Sequence, residues 1–244
     1  MSTQTLERVR RVLVEEPTRP ARRFLWRNGL SLFFGVLFLV ALVGQALTGL
    51  AAYNEGQVAQ GLQQISLGHY LLSSSFAVDV AENWQSEYLQ FFLYVMVTVW
   101  LVQKGSPESK ELDKAGSESD EEQKVGRYAG VDSPSWAKVS GPRRSIYSHS
   151  LCLVMGLLFL GSWLAQSIAG WSAYNSEQLQ QLQPVVSYLS YLGRPDFWNR
   201  TLQNWQSEFL AVGSMAVLSI YLRQRGSPES KPVGSPHEAT GTNG

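Results

Sequence analysis

Charged residues are distributed unevenly along the 244-residue chain, and the uncharged intervals have helical length. No charge occurs from Gly29 to Tyr53 or from Ser150 to Tyr174. A helix over either stretch rises about 37 Å, enough to cross a hydrocarbon layer of about 30 Å with some tilt. Two shorter uncharged stretches, Tyr88 to Gln103 and Phe209 to Leu222, would rise only about 24 and 21 Å, so their helices are predicted to extend outward. Ser75 and Asp196 suit N-caps and Gly105 and Gly226 suit stops, which predicts one long helix between each pair. The pattern describes an all-α polytopic membrane protein with four transmembrane helices.

The same stretches reveal a repeat. Residues 28–110 match residues 149–231 without a gap at a constant offset of 121. Gly35, Gln45, Gly49, Tyr53 and Asn54 recur as Gly156, Gln166, Gly170, Tyr174 and Asn175. Asn83-Trp84-Gln85-Ser86-Glu87-Tyr88-Leu89 recurs as Asn204-Trp205-Gln206-Ser207-Glu208-Phe209-Leu210, and Gly105-Ser106-Pro107-Glu108-Ser109-Lys110 recurs from Gly226 to Lys231. The best-matched stretches are polar, so shared hydrophobicity does not explain them. Tandem duplication of a two-helix hairpin is the expectation. It divides the chain into a basic N-terminal segment (1–27), a first hairpin (28–104), a charged linker (105–148), a second hairpin (149–225) and a disordered tail (226–244).

Charge sets the orientation. Seven arginines precede the first span, eight basic residues lie between Lys104 and Arg144, and Arg223, Arg225 and Lys231 follow the fourth span. Only Arg194 and Arg200 remain on the other side. The positive-inside rule then puts both termini and the linker in the cytoplasm and the loops 54–82 and 175–203 outside. Two hairpins of one orientation imply a pseudo-twofold axis along the membrane normal. A signal peptide fits the first apolar run poorly, because the run is too long and its copy at 150–174 cannot be a leader. Arg22-Arg23-Phe24-Leu25 has a faint likeness to a twin-arginine signal, yet arginines just inside a span need no further reason. Residues 5–16 are expected to form a short basic amphipathic helix, ended by Pro17 and Pro20. The linker, with few apolar residues, is expected to be mobile and without a core of its own.

Candidate chemistry is sparse. The single cysteine, Cys152, excludes an intramolecular disulfide, and His69, His149 and His237 lie too far apart in sequence for a metal constellation. No metal or cofactor is expected, and nothing points to nucleic acid. Polar groups within lipid are the remaining candidates. Gln45 and Gln166 lie about 25 Å along their helices from Gly29 and Ser150, as packing glue beside Gly49 and Gly170 or as lining of a pathway. Asn83 with Glu87, and Asn204 with Glu208, share a face at i,i+4 spacing and are candidates for aiming paired carboxylates at a bundle axis. Trp84 and Trp205 suit an interfacial aromatic belt. The Gly-Ser-Pro-Glu-Ser-Lys segments read as a helix stop followed by a new N-cap with proline at N1, or as a docking epitope. Asn199-Arg200-Thr201 matches the glycosylation pattern. No nucleophile elbow, phosphate-binding glycine loop or zinc-protease helix occurs.

The paired Asn-Trp-Gln-Ser-Glu-(Tyr/Phe)-Leu motifs, the ending from Gln224 to Pro232 and the linker from Ser117 to Gln123 resemble those of a family of bacterial membrane proteins with a domain of unknown function. The likeness runs from Phe24 onward. It implies a multi-pass inner-membrane protein and brings no catalytic or binding residues with it. Three functions are then weighed. The first is a binding or scaffold protein of the envelope, partnered by the lipid bilayer, by further copies of itself or by an envelope protein. The second is an oligomeric channel or transporter for a small ion or solute that uses the Gln and Glu positions. A membrane enzyme comes third, because the two glutamates have no nucleophile nearby.

Overall fold

A computed structural model describes residues 19–241. It is all-helical, with no strand among those residues. The chain divides into two compact units, Met1–Leu72 and Ser73–Gly244. The amphipathic helix expected over residues 5–16 lies outside the described residues.

In the first unit, α1 (Pro20–Arg27) leads through Asn28 into α2 (Gly29–Ala59), and a short α3 (Leu67–Leu71) follows. Of the 31 residues of α2 only Ala46 is buried, and most of its leucines, with its phenylalanines and valines, are exposed. The loop after α2 is closed by a side chain. Asn54 donates to the Ile65 carbonyl at 3.0 Å and accepts from the Ile65 amide at 2.8 Å. Ser66 then caps α3, and Tyr70 is buried beside Tyr53, over Gly49.

The second unit contains α4 (Ser74–Val97), α5 (Ser135–Lys138), α6 (Pro142–Ser148), α7 (Ser150–Gln180), α8 (Tyr188–Leu192) and α9 (Pro195–Tyr221). The loop after α7 has the same construction. Asn175 bridges the Val186 carbonyl and amide at 3.0 and 2.9 Å, Ser187 caps α8, and Tyr191 is buried beside Tyr174. A Cβ on Gly170 would stand 2.5 Å from the Tyr191 hydroxyl and 3.3 Å from Val78, so glycine lets both α8 and α4 approach. At the far end of α7, Gly156 makes the same room for Phe92. Early residues of α4 therefore meet late residues of α7 and the reverse, an antiparallel pair. Polar contacts from Glu82, Gln85 and Ser86 to Arg200, Trp205 and Glu208 run α9 parallel to α4 on another side. The stripe Val78, Ala81, Gln85 and Leu89, at three- and four-residue spacing, is the buried face of α4.

The second and fourth long helices differ from expectation at their ends. Ser73, not Ser75, caps α4 by accepting from the Phe76 amide at 3.2 Å. Asp196 is not a cap at all: it sits in the first turn of α9 and accepts from the Tyr191 hydroxyl at 3.0 Å. Neither helix reaches its glycine. The β-branched run Val97-Thr98-Val99 propagates helix poorly, and Thr98 donates its hydroxyl to the Tyr94 carbonyl at 2.6 Å. In α9, Arg223 folds back onto the carbonyls of Ser219, Ile220 and Leu222 at 2.8–3.2 Å and closes the C-terminus.

Both Gly-Ser-Pro-Glu-Ser-Lys segments form a closed turn rather than a new helix start. Gly105 and Gly226 adopt φ of +87° and +83°, and the second serine, Ser109 or Ser230, accepts from the amide of Gln103 or Gln224. The tail expected to be disordered is folded onto the first of these turns. Lys231, 1% exposed, donates from Nζ to the carbonyls of Gly105, Pro236, His237 and Ala239 at 2.6–3.3 Å. Gly241 donates to Ser106, and Gly105 donates to Thr240. The linker is a series of short turns held by polar contacts: Lys110 pairs with Glu118 and donates to Gly116, and Arg144 pairs with Asp120.

Candidate functional site

The greatest concentration of buried polar side chains lies where α4, α7 and α9 meet. Gln85 is 0% exposed, Gln166 1% and Thr201 0%. The Gln85 amide oxygen accepts from the Trp205 indole at 2.8 Å, and the Thr201 hydroxyl accepts from Gln166 Nε2 and Trp163 Nε1, both at 3.4 Å. Phe159, Trp163, Phe197 and Trp205 surround this layer with ring centroids 5.7–6.4 Å apart. Each glutamine keeps one unused group: Gln85 Nε2 and Gln166 Oε1 are buried without a partner among the described residues. An unpartnered buried donor and acceptor each cost about 1–3 kcal/mol, so the layer is a place of unspent hydrogen-bonding capacity.

Around the layer lie charges. Ser86 donates to Glu208 at 3.3 Å. Further toward the start of α4, Arg200 stands 3.2 Å from Glu82, 3.6 Å from Asp196 and 3.9 Å from Asp79. Burial pushes the Asp79 and Glu82 carboxyls above their ordinary values, and the Arg200 charge offsets this only in part. Burial pulls the other way on Arg200, yet Glu82 and Asp196 hold its guanidinium above its usual value. Burial raises the Tyr191 hydroxyl too, helped by the neighbouring Asp196 carboxylate.

The structure distributes the sequence-derived candidates unequally. Gln166 joins the layer, while Gln45 in the first unit is half-buried. The amides of Asn83 and Asn204 each turn back onto their own helix, donating to the carbonyls of Asp79 and Arg200. Glu87 is exposed, whereas Glu208 is half-buried against Ser86. Trp84 is 43% exposed, but Trp205 is packed inward. In the Asn199-Arg200-Thr201 pattern the asparagine is exposed near the start of α9, while the threonine is fully buried.

Gln85, Thr201, Trp163 and Arg200 are not among the polar membrane positions that the sequence offered as candidates. Gln85 sits on the buried stripe of α4, and that spacing was the available signal. For Arg200 the signal was its isolation as one of two basic residues in the predicted external loops. Pairing of His, Cys, Asp and Glu in groups able to hold a metal ion does not occur among the described residues.

An all-helical protein with two helices, Gly29–Ala59 and Ser150–Gln180, long and apolar enough to cross a membrane is the class these observations define. Residues 21–242 match the family described as a domain of unknown function, DUF6766, and the chain belongs to that family. No curated protein and no solved structure matches it.

Proposed function

We propose that this chain is a four-pass protein of the bacterial inner membrane, duplicated from one hairpin, with both termini and the linker cytoplasmic, and that it serves as a binding or scaffold component of the envelope. The observation that carries the scaffold reading is how the buried polar groups between α4, α7 and α9 are used. Trp205 to Gln85, Gln166 to Thr201, Ser86 to Glu208 and Arg200 to Glu82 all join one helix to another. Such bonds fix the helices against one another, the first three in a buried layer where little water competes and the Arg200 pair at the external end. The matched Asn54 and Asn175 loop closures, 121 residues apart, support the duplication and give the external loops a fixed form for a partner to recognise. Crosslinkers placed in loops 54–73 and 175–194 in living cells are expected to capture one protein in stoichiometric amount; its absence, with the chain correctly inserted, contradicts the scaffold reading.

The unpartnered Gln85 Nε2 and Gln166 Oε1 favour a second reading, an oligomeric channel for a small solute. In reconstituted vesicles that reading requires a flux that Glu87→Gln with Glu208→Gln, or Gln166→Leu, removes. No flux from the parent protein eliminates it.

A further inference from the structure

A cavity of about 980 Å³ lies in the linker, immediately before α7, and its walls carry unbalanced charge. Arg127, Lys138, Arg143 and Arg144 face Asp120 and Glu121. Among these six only Arg144 and Asp120 form an ion pair, at 3.2 Å. Lys138 donates to the Val131 carbonyl at 2.5 Å, which holds the ammonium in place without neutralising it. Arg127 donates to the Tyr128 hydroxyl at 2.6 Å and stacks its guanidinium 4.7 Å from that ring, an arrangement that also leaves its charge intact. Arg143 is exposed with no side-chain partner among the described residues. Gly126, at φ +62°, gives the Arg144 guanidinium its place, since a Cβ there would stand 2.7 Å from Arg144 Nη1. The wall thus keeps two positive charges in excess and several guanidinium N–H groups unspent.

Arg143 lies seven residues before the first residue of α7, about 10 Å along a helical path. Arg22-Arg23 with Leu25-Trp26 stands before α2 at the same 121-residue offset as Arg143-Arg144 with Ile146-Tyr147 before α7. A pair of arginines followed by an aliphatic and an aromatic residue therefore precedes both helices of membrane-spanning length.

We infer that this cavity binds a phosphate group, with Arg127 and Arg143 as its principal ligands and Lys138 supplying charge. Guanidinium pairs with phosphate oxygens through two parallel N–H donors, which suits Arg127 and Arg143 better than a point charge would. Two sources present that chemistry here, the headgroup of an anionic phospholipid in the inner leaflet and a soluble phosphate. The lipid source rests on the membrane orientation proposed above, whereas the phosphate chemistry does not.

The test uses the full chain purified in detergent and in nanodiscs. Inorganic phosphate is titrated against the detergent sample, and native mass spectrometry counts phosphatidylglycerol against phosphatidylcholine retained from mixed nanodiscs. Arg127→Gln with Arg143→Gln is expected to weaken the preferred ligand about 30-fold, as the loss of two surface charges requires. Glu121→Gln, which removes an exposed and unpaired carboxylate from the wall, is expected to tighten it. Preference for phosphatidylglycerol identifies a lipid headgroup, and phosphate binding in detergent alone identifies a soluble ligand. Absence of both, or binding that neither variant shifts, overturns the inference. A topology reporter on the same variants separates that outcome from a failure of the membrane reading.

Discussion

The Gln85 amide is held by one neighbour, the Trp205 indole. Trp205→Phe keeps most of the ring contact with Trp163 and Phe159 but leaves both ends of that amide unsatisfied. A loss of about 1–3 kcal/mol is expected in detergent-solubilised protein, read from denaturant unfolding. Adding Gln85→Met is expected to recover much of it, since removing both partners of a buried bond costs far less than removing one. Additive losses contradict the pairing. Legibility at this scale was divided. Gln166 stood out as a lone amide in an apolar stretch, and it is buried. Asn83 and Glu87 shared a face as their spacing required, but that face points outward, because the residues that bury α4 are Val78, Ala81, Gln85 and Leu89. Polarity within a motif does not tell which side of a helix meets its neighbours; the spacing of the small and apolar residues does.

Among the elements, the long apolar helices and the loop closures were the most legible. An uncharged run of 25 residues has few alternatives to helix, and Asn54 and Asn175 appear in the matched repeat before their bonds are seen. Helix ends were less so, because Thr98 and Arg223 end α4 and α9 through side-chain bonds to carbonyls that spacing does not reveal. The tail was the least legible. Apart from Val233 and Ala239 its residues are glycine, proline, polar or charged, and its order depends on four backbone carbonyls converging on Lys231. Lys231→Met removes the donor and leaves those carbonyls facing one another. Residues 232–241 are expected to become several-fold more susceptible to limited proteolysis while α9 stays intact. Unchanged cleavage means the tail is held by Gly241 and Thr240 instead.

For the molecule as a whole, the helical class was legible in the alternation of charged and uncharged tracts, and membership of the DUF6766 family agrees with the resemblance as far as a domain of unknown function. Two helices have the length and composition to span a bilayer. The four-pass proposal adds α4 and α9, whose first halves carry the Arg200 cluster and which carry no charge beyond Glu87 and Glu208. That division assigns the cluster to the external surface and the linker cavity to the cytoplasmic one. The measurement that bears on this most directly is a pair of compartment-specific reporter fusions, one at Gly193 and one at Glu121, in the intact chain. The proposal predicts an exported reporter at Gly193 and a retained one at Glu121. Both reporters on one side of the membrane, or a chain that stays in solution without detergent, contradicts it.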